Sequence, residues 1–329
     1  MNMTALYDFD KQKRLIGFQV DSVVLPRSIT PTSVFKWMRG WVFGAGRLSS
    51  SCSHPHIWTV SEGQEHRKDL FCIMAPSDTD LASAQAHLRE EGWCVIPEVI
   101  DAAKTKQVLD CLWAAAEESK RRGDDTFLPF LDPNESNVRV FYLLELHEIF
   151  RELIQHPVAT QMVKSVLGDN FLISNFTANI ARPGSKSMGL HCDQSLVSPE
   201  PWLTINALNC IWCLNDVYFE NGATLFIPGS NKWERRSDIP RDAKQLLKPF
   251  EAKAGSMIVM DGRVWHTSGA NITQDKDRAL LFGYYTAPFL RQQVNWTKKL
   301  SKEVQDSLSP EMTERLGVRS LNSMQQDQY

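Results

Sequence analysis

His191-Cys192-Asp193 ends one apolar segment, and a single His266 stands much further along the chain in Val264-Trp265-His266. Residues two apart on a strand point to the same side of a sheet, so His191 and Asp193 are expected to share a face. A distant second His completes that face only if the chain between them folds back on itself. Two imidazoles and one carboxylate, with the remaining positions open, describe the facial triad that holds Fe(II) in non-haem oxygenases. The motif is short, and a surface His beside a turn Asp is the plainer reading of it in isolation.

The surrounding sequence bears on that choice. Arg278 opens the apolar run Ala279-Leu280-Leu281-Phe282-Gly283-Tyr284-Tyr285. An Arg at a strand start, about one hairpin beyond His266, can aim its planar fork into the same space and pair bidentately with a dicarboxylate such as 2-oxoglutarate. A solvated charge after Asp275-Lys276-Asp277 is the alternative. Between the candidate ligands lie Asn209-Cys210-Ile211-Trp212-Cys213-Leu214-Asn215-Asp216-Val217 and Glu220-Asn221-Gly222-Ala223-Thr224-Leu225-Phe226-Ile227-Pro228-Gly229-Ser230-Asn231-Lys232-Trp233. These read as two strands joined at Asn-Gly, a strong hairpin signal. From Phe171 onward the pattern is one of short strands and turns, whereas helical spacing dominates before it, as in Asp101 to Arg122 with Val108, Leu109, Leu112 and Trp113 apolar. The fold class expected is mainly β with flanking α-helices, around a double-stranded β-helix (jelly-roll, cupin-like) core.

Four segments in order carry a family resemblance: Leu88-Arg89-Glu90-Glu91-Gly92-Trp93-Cys94-Val95-Ile96-Pro97, the His191-x-Asp193-Gln194 motif, the Glu220 to Lys232 segment, and Trp265-His266-Thr267-Ser268-Gly269-Ala270-Asn271. Together they resemble the phytanoyl-CoA dioxygenase family of Fe(II)/2-oxoglutarate oxygenases, over roughly Asp80 to Trp296. The resemblance implies an enzyme with Fe(II) and 2-oxoglutarate as cofactors and dioxygen as co-substrate. It implies His191, Asp193 and His266 as metal ligands and Arg278 for the distal carboxylate of 2-oxoglutarate. Ser268 and Thr224 would assist that cofactor through their hydroxyls. Trp212 lies on a strand that approaches the cofactor in the family, with plain core packing as the other reading. A carboxylate at Asp193, rather than a small residue that leaves room for halide, points to hydroxylation, desaturation or oxidative rearrangement.

Asn175 and Asn179 have the same parity in Ile173-Ser174-Asn175-Phe176-Thr177-Ala178-Asn179-Ile180 and are expected on one face. Asparagines in an apolar strand need partners, so Asn175 is a candidate for contact with cofactor or substrate. Gln194 is read as supporting the ligand set from behind. Cys210-x-x-Cys213 has no companion pair and is read as two small buried hydrophobes.

The chain of 329 residues, 43% hydrophobic, can bury a sizeable core. Its net charge of -3 argues against a general nucleic-acid or anionic-membrane binder. No run reaches the ~20 apolar residues of a membrane-spanning helix, so no stable membrane insertion is expected. Seven scattered cysteines and no evident secretory signal suggest a reducing, cytoplasmic setting. Three regions are expected: an extension over 1–78, an oxygenase domain over 79–300, and a helical tail over 301–329. In the first, Phe35, Trp37, Trp41, Val42 and Phe43 suggest an arm packed on the catalytic domain or on a homodimer partner, while His54 and His56 read as a polar loop. The substrate expected is a hydrophobic small molecule, suggested by Phe130, Phe141, Phe176 and Trp202. An acyl-CoA 2-hydroxylase and a non-catalytic binder on the same fold are the alternatives.

Overall fold

The structure is a computed structural model that describes residues 81–318. The expected arm, His54, His56, the Thr79-Asp80 cap and the polar tail beyond 318 lie outside the described residues.

Helix α1 (Leu81–Glu91) leads into strand β1 (Trp93–Ile96). Helix α2 (Ala102–Arg122) follows the Asp101 cap, whose carboxylate accepts from the Lys104 amide at 2.7 Å. Its apolar positions Val108 and Leu112 are buried, as the helical spacing predicts. Strand β2 (Asn137–Val140) precedes three helices, α3 (Leu143–Leu146), α4 (Glu148–Ile154) and α5 (Pro157–Leu167). Seven strands carry the chain on to Thr286. They are β3 (Leu172–Ala181), β4 (Ala207–Cys213), β5 (Thr224–Phe226), β7 (Met257–Asp261), β8 (His266–Ser268) and β9 (Arg278–Thr286), with the short β6 (Lys248–Pro249) between β5 and β7. Helices α6 (Trp296–Lys299), α7 (Lys302–Ser307) and α8 (Pro310–Arg315) close the described chain.

The strands form two antiparallel sheets, a six-stranded one in the order β1-β7-β4-β9-β3-β2 and a three-stranded one in the order β6-β5-β8. One face of the large sheet packs on the helices through Leu208, Cys210, Trp212, Phe176, Leu281, Phe150 and Met162. The opposite face meets the small sheet through Trp93, Ile211, Cys213, Ile258, Leu280, Phe226 and Phe250. This is the jelly-roll arrangement expected, with the described helices packed on the outer face of the large sheet. Met312, Leu316 and Val318 join the helix-side core, so the C-terminal helices are part of that packing.

Two local expectations are corrected. The Asn221-Gly222 turn does not close a hairpin: β4 pairs with β7 and β9, and β5 pairs with β6 and β8, so the turn lies on a connection between the sheets. Gly222 has φ 89° there, and a Cβ would stand 3.2 Å from the Gly269 carbonyl oxygen. Likewise β8 and β9 are not a hairpin but belong to different sheets. Cys210 and Cys213, three apart on β4, point to opposite faces and are both buried free thiols. Among the described residues no helix is long and apolar enough to cross a membrane.

Candidate metal centre

His191 and His266 meet as an antiparallel bridge. The His191 amide donates to the His266 carbonyl at 3.0 Å, and the His266 amide donates back at 2.8 Å. Their rings lie 4.3 Å apart between centroids. Asp193 is not on a strand, as the two-residue spacing suggested. It opens a 3-10 turn (Asp193–Leu196) held by the Gln194 amide on the Gly262 carbonyl at 2.7 Å. The turn, not the pleat, brings its carboxylate to the imidazoles. Asp193 Oδ1 stands 3.9 Å from His191 Nε2 and 3.9 Å from His266 Nε2. One ligand atom from each residue fits within 4.8 Å of the others.

Each imidazole is oriented from behind. Nδ1 of His191 faces the Gly189 carbonyl at 2.9 Å, and Nδ1 of His266 faces the Val264 carbonyl at 2.9 Å. A carbonyl only accepts, so Nδ1 carries the proton and Nε2 presents a lone pair. Burial, with a further contribution from the His191 imidazole, holds His266 well below the ordinary imidazole value. A neutral imidazole pair with one carboxylate is a donor set that suits a divalent first-row metal.

Arg278 is 1% exposed, at the first position of β9. Its Nε donates to the Gly222 carbonyl at 2.9 Å, and its Nη1 donates to the backbone carbonyl and Oδ1 of Asn179 at 3.1 and 3.0 Å. Among the described residues no hydrogen bond engages Nη2. Burial lowers its pKa to about 10, which leaves it cationic at neutral pH. Thr224 and Ser268 face each other across β5 and β8, in the same register that pairs Phe226 with His266. The Ser268 hydroxyl accepts from the Met188 amide at 3.0 Å.

Asn175 and Asn179 do share the face that looks toward the small sheet, on the regular part of β3 after a register shift between Ile173 and Asn175. They sit at different levels. Asn179 touches Arg278, while Asn175 pairs in register with Tyr284 and donates to Gln293 at 2.9 Å. Of the two readings of Trp212, the structure bears out core packing: it points to the helix side, edge-on to His156, while its neighbours Ile211 and Cys213 face inward. Phe176 is likewise in the helix-side core, Trp202 is buried beside Cys192 and Trp265, and Phe130 is 71% exposed.

Three residues near the centre escaped the sequence reading. Asn209 donates from Nδ2 to Asp193 Oδ2 at 2.5 Å. Tyr284, opposite Asn209 on β9, is held protonated far above its usual range by burial and by the Asp193 carboxylate. Arg139 pairs in register with Asn179, is gripped by the buried Asp132 at 2.7 and 2.8 Å, and reaches Met188 Sδ at 3.1 Å. The alternation Asn137-Val138-Arg139-Val140 was the available signal, since it sets Arg139 opposite two valines. Gln194 lies in the 3-10 turn and anchors it to the segment beyond: its Nε2 donates to the Thr204 carbonyl at 2.7 Å and its Oε1 accepts from the Asn206 amide at 2.8 Å.

Comparison with known proteins adds independent findings. The family model described as phytanoyl-CoA dioxygenase (PhyH) matches residues 88–279. A relative from Aspergillus fumigatus, "Dioxygenase af480", is 54% identical over 239 residues, covering 73% of this chain and 77% of that one. Among solved structures, HygX from Streptomyces hygroscopicus with nickel, 2-oxoglutarate and hygromycin B bound superposes with a TM-score of 0.53 at 16% identity, covering 64% of this chain and 88% of that one. The non-haem α-ketoglutarate-dependent carbocyclase SnoK from nogalamycin biosynthesis gives 0.53 at 21% identity, over 69% and 93%. At these identities the structural likeness speaks to the fold.

Proposed function

The chain belongs to the phytanoyl-CoA dioxygenase family and is an Fe(II)- and 2-oxoglutarate-dependent dioxygenase, and from that premise we propose that it oxidises a hydrophobic small molecule of specialised metabolism. The observation that carries the reading is the convergence of His191 Nε2, His266 Nε2 and Asp193 Oδ1. These three atoms would hold the iron. When bound, the iron with 2-oxoglutarate and dioxygen supplies oxidation of a substrate C–H bond, with release of succinate and CO2.

The chain's own residues do the remaining work. Arg278, cationic and anchored through Nε and Nη1, offers Nη2 to the distal carboxylate of 2-oxoglutarate. Thr224 and Ser268 stand on the strands beside it, and Arg139 adds a second guanidinium at the Asn179 level. Asn179 Nδ2, buried and without a partner, is a further donor at that end. Asn175, in register with Tyr284, is read as a substrate contact rather than a partner of the cofactor carboxylate.

For the substrate, Leu196 and Leu203 are 78% and 63% exposed on the segment that follows Asp193 and is tied back to it by Gln194. Apolar side chains held beside a metal centre favour an apolar ligand. HygX is described with hygromycin B bound and SnoK as an enzyme from nogalamycin biosynthesis, which is in keeping with specialised metabolism. The test is iron-dependent succinate formation from 2-oxoglutarate, followed by comparison of metabolites with and without the enzyme. An oxidised apolar metabolite supports the proposal. Oxidation of an acyl-CoA instead would make the chain a hydroxylase of the phytanoyl type and overturn the proposal.

A further inference from the structure

Asp193 uses its two carboxylate oxygens differently. Oδ1 faces both imidazole Nε2 atoms, while Oδ2 takes the Asn209 amide at 2.5 Å. Because a carboxylate only accepts, the atom of Asn209 that faces it is Nδ2. Asn209 itself is 6% exposed and projects from the inner face of β4, a strand buried along its whole length. It stands between Met260 of β7 and Tyr284 of β9 in register. Its other amide atom, Oδ1, is buried and has no partner, so within the described protein the amide is oriented by Asp193 alone. An acceptor left buried and unpaired is costly, and such a group marks a position kept for something other than packing.

We propose that Asn209 is a positioning residue that holds Asp193 to one-oxygen coordination, keeping Oδ2 off the metal so that the position it would occupy stays open for 2-oxoglutarate and dioxygen. A free carboxylate can swing to bind a metal through both oxygens, and a two-oxygen Asp193 would take one position from the co-substrates. A donor fixed on Oδ2 prevents that and sets the carboxylate plane at the same time. The inference rests on the reading of His191, Asp193 and His266 as the metal ligands.

Cobalt(II), titrated into metal-free full-length protein and followed by visible absorption, tests it without turnover. The variants are Asn209→Leu, which keeps the shape and removes the donor, and Asn209→Ala in case the leucine does not fold. The expected result is a Co(II) spectrum changed in shape from wild type, and a weaker spectral response to added 2-oxoglutarate. Loss of a partner behind a ligand typically lowers metal affinity by about 10–100-fold, and a fall in this range is expected here. Melting curves establish that the variant compared is folded. Should a folded variant show the wild-type spectrum, affinity and 2-oxoglutarate response, Asn209 is packing only and the proposal is wrong. If wild type itself gives no Co(II) spectrum, or His191→Ala gives the wild-type one, the ligand reading fails instead.

Discussion

His191 and His266 bond to each other through both backbone amides before either side chain meets a metal. The pairing joins the loop before the 3-10 turn to β8 and sets two Nε2 atoms at one carboxylate oxygen. The ligand geometry therefore belongs to the main chain as much as to the side chains.

His191→Ala or His266→Ala is expected to abolish metal binding and succinate formation and to leave the fold largely intact, because the bridge itself needs no imidazole. Metal content after loading with Fe(II), alongside a circular dichroism melt, checks both halves. Full metal occupancy in either variant would move the centre elsewhere.

Arg278→Ala removes a charged donor, and hydrogen bonds to charged groups contribute about 1.5–3 kcal/mol. The apparent constant for 2-oxoglutarate should rise by about one to two decades. Some stability should go with it, since the Gly222 carbonyl and Asn179 lose their donor. Arg278→Lys should recover only part of the binding, because an ammonium lacks the fork. An unchanged constant in a folded Arg278→Ala protein would exclude the role.

The clustering of His191, Asp193 and His266 and the order of the elements were legible because local patterns carry them. Asp101 caps α2 by its own carboxylate, and the His191, Glu220 and Trp265 motifs stand in sequence order along the chain. The orientation of Trp212 was not legible, because β4 is buried on both faces and no alternation distinguishes inside from outside. Arg139 and Asn209 were missed for a different reason. Their importance comes from register, which sets Arg139 beside Asn179 and Asn209 beside Tyr284, and register between strands distant in sequence is not written in either strand. The His-x-Asp spacing pointed to two side chains that do converge, but by way of a strand where the chain has a 3-10 turn; both bring the two side chains together.

Stability of the metal-free protein should depend on pH through the buried His266 and the half-buried His156. Burial lowers the pKa of both His156 and His266. Unfolded, each returns to about 6.5. Between the folded and unfolded values the unfolded chain binds more protons, so stability rises with pH there. The contribution is complete above about pH 6.5 and is lost as the pH falls through the folded values. Melting temperatures of chelator-treated protein should fall from about pH 7.5 to about pH 5, and less steeply in His266→Gln. Equal slopes in the two proteins would assign the effect to other groups.

Gln194 ties the segment after Asp193 back to the ligand turn. Its side chain is fully buried, and both ends of its amide are used, one on Thr204 and one on Asn206. Between these ties lie the exposed Leu196 and Leu203 and the buried Trp202, whose Nε1 donates to the Val197 carbonyl at 2.8 Å. Gln194→Leu leaves the Thr204 carbonyl and the Asn206 amide unpaired, at a cost of about 1–3 kcal/mol where such groups stay buried. Thr204 is exposed and Asn206 only half-buried, so water can replace part of the loss and the lower end of that range is expected. The larger effect should be local. Residues 195–205 should become cleavable by a protease that spares the wild type, and substrate oxidation should fall more than 2-oxoglutarate consumption, because the apolar segment beside the metal is no longer held. If Gln194→Leu is cleaved no faster and keeps oxidation and succinate formation in step, the amide serves the fold alone and the segment after Asp193 is not a substrate wall.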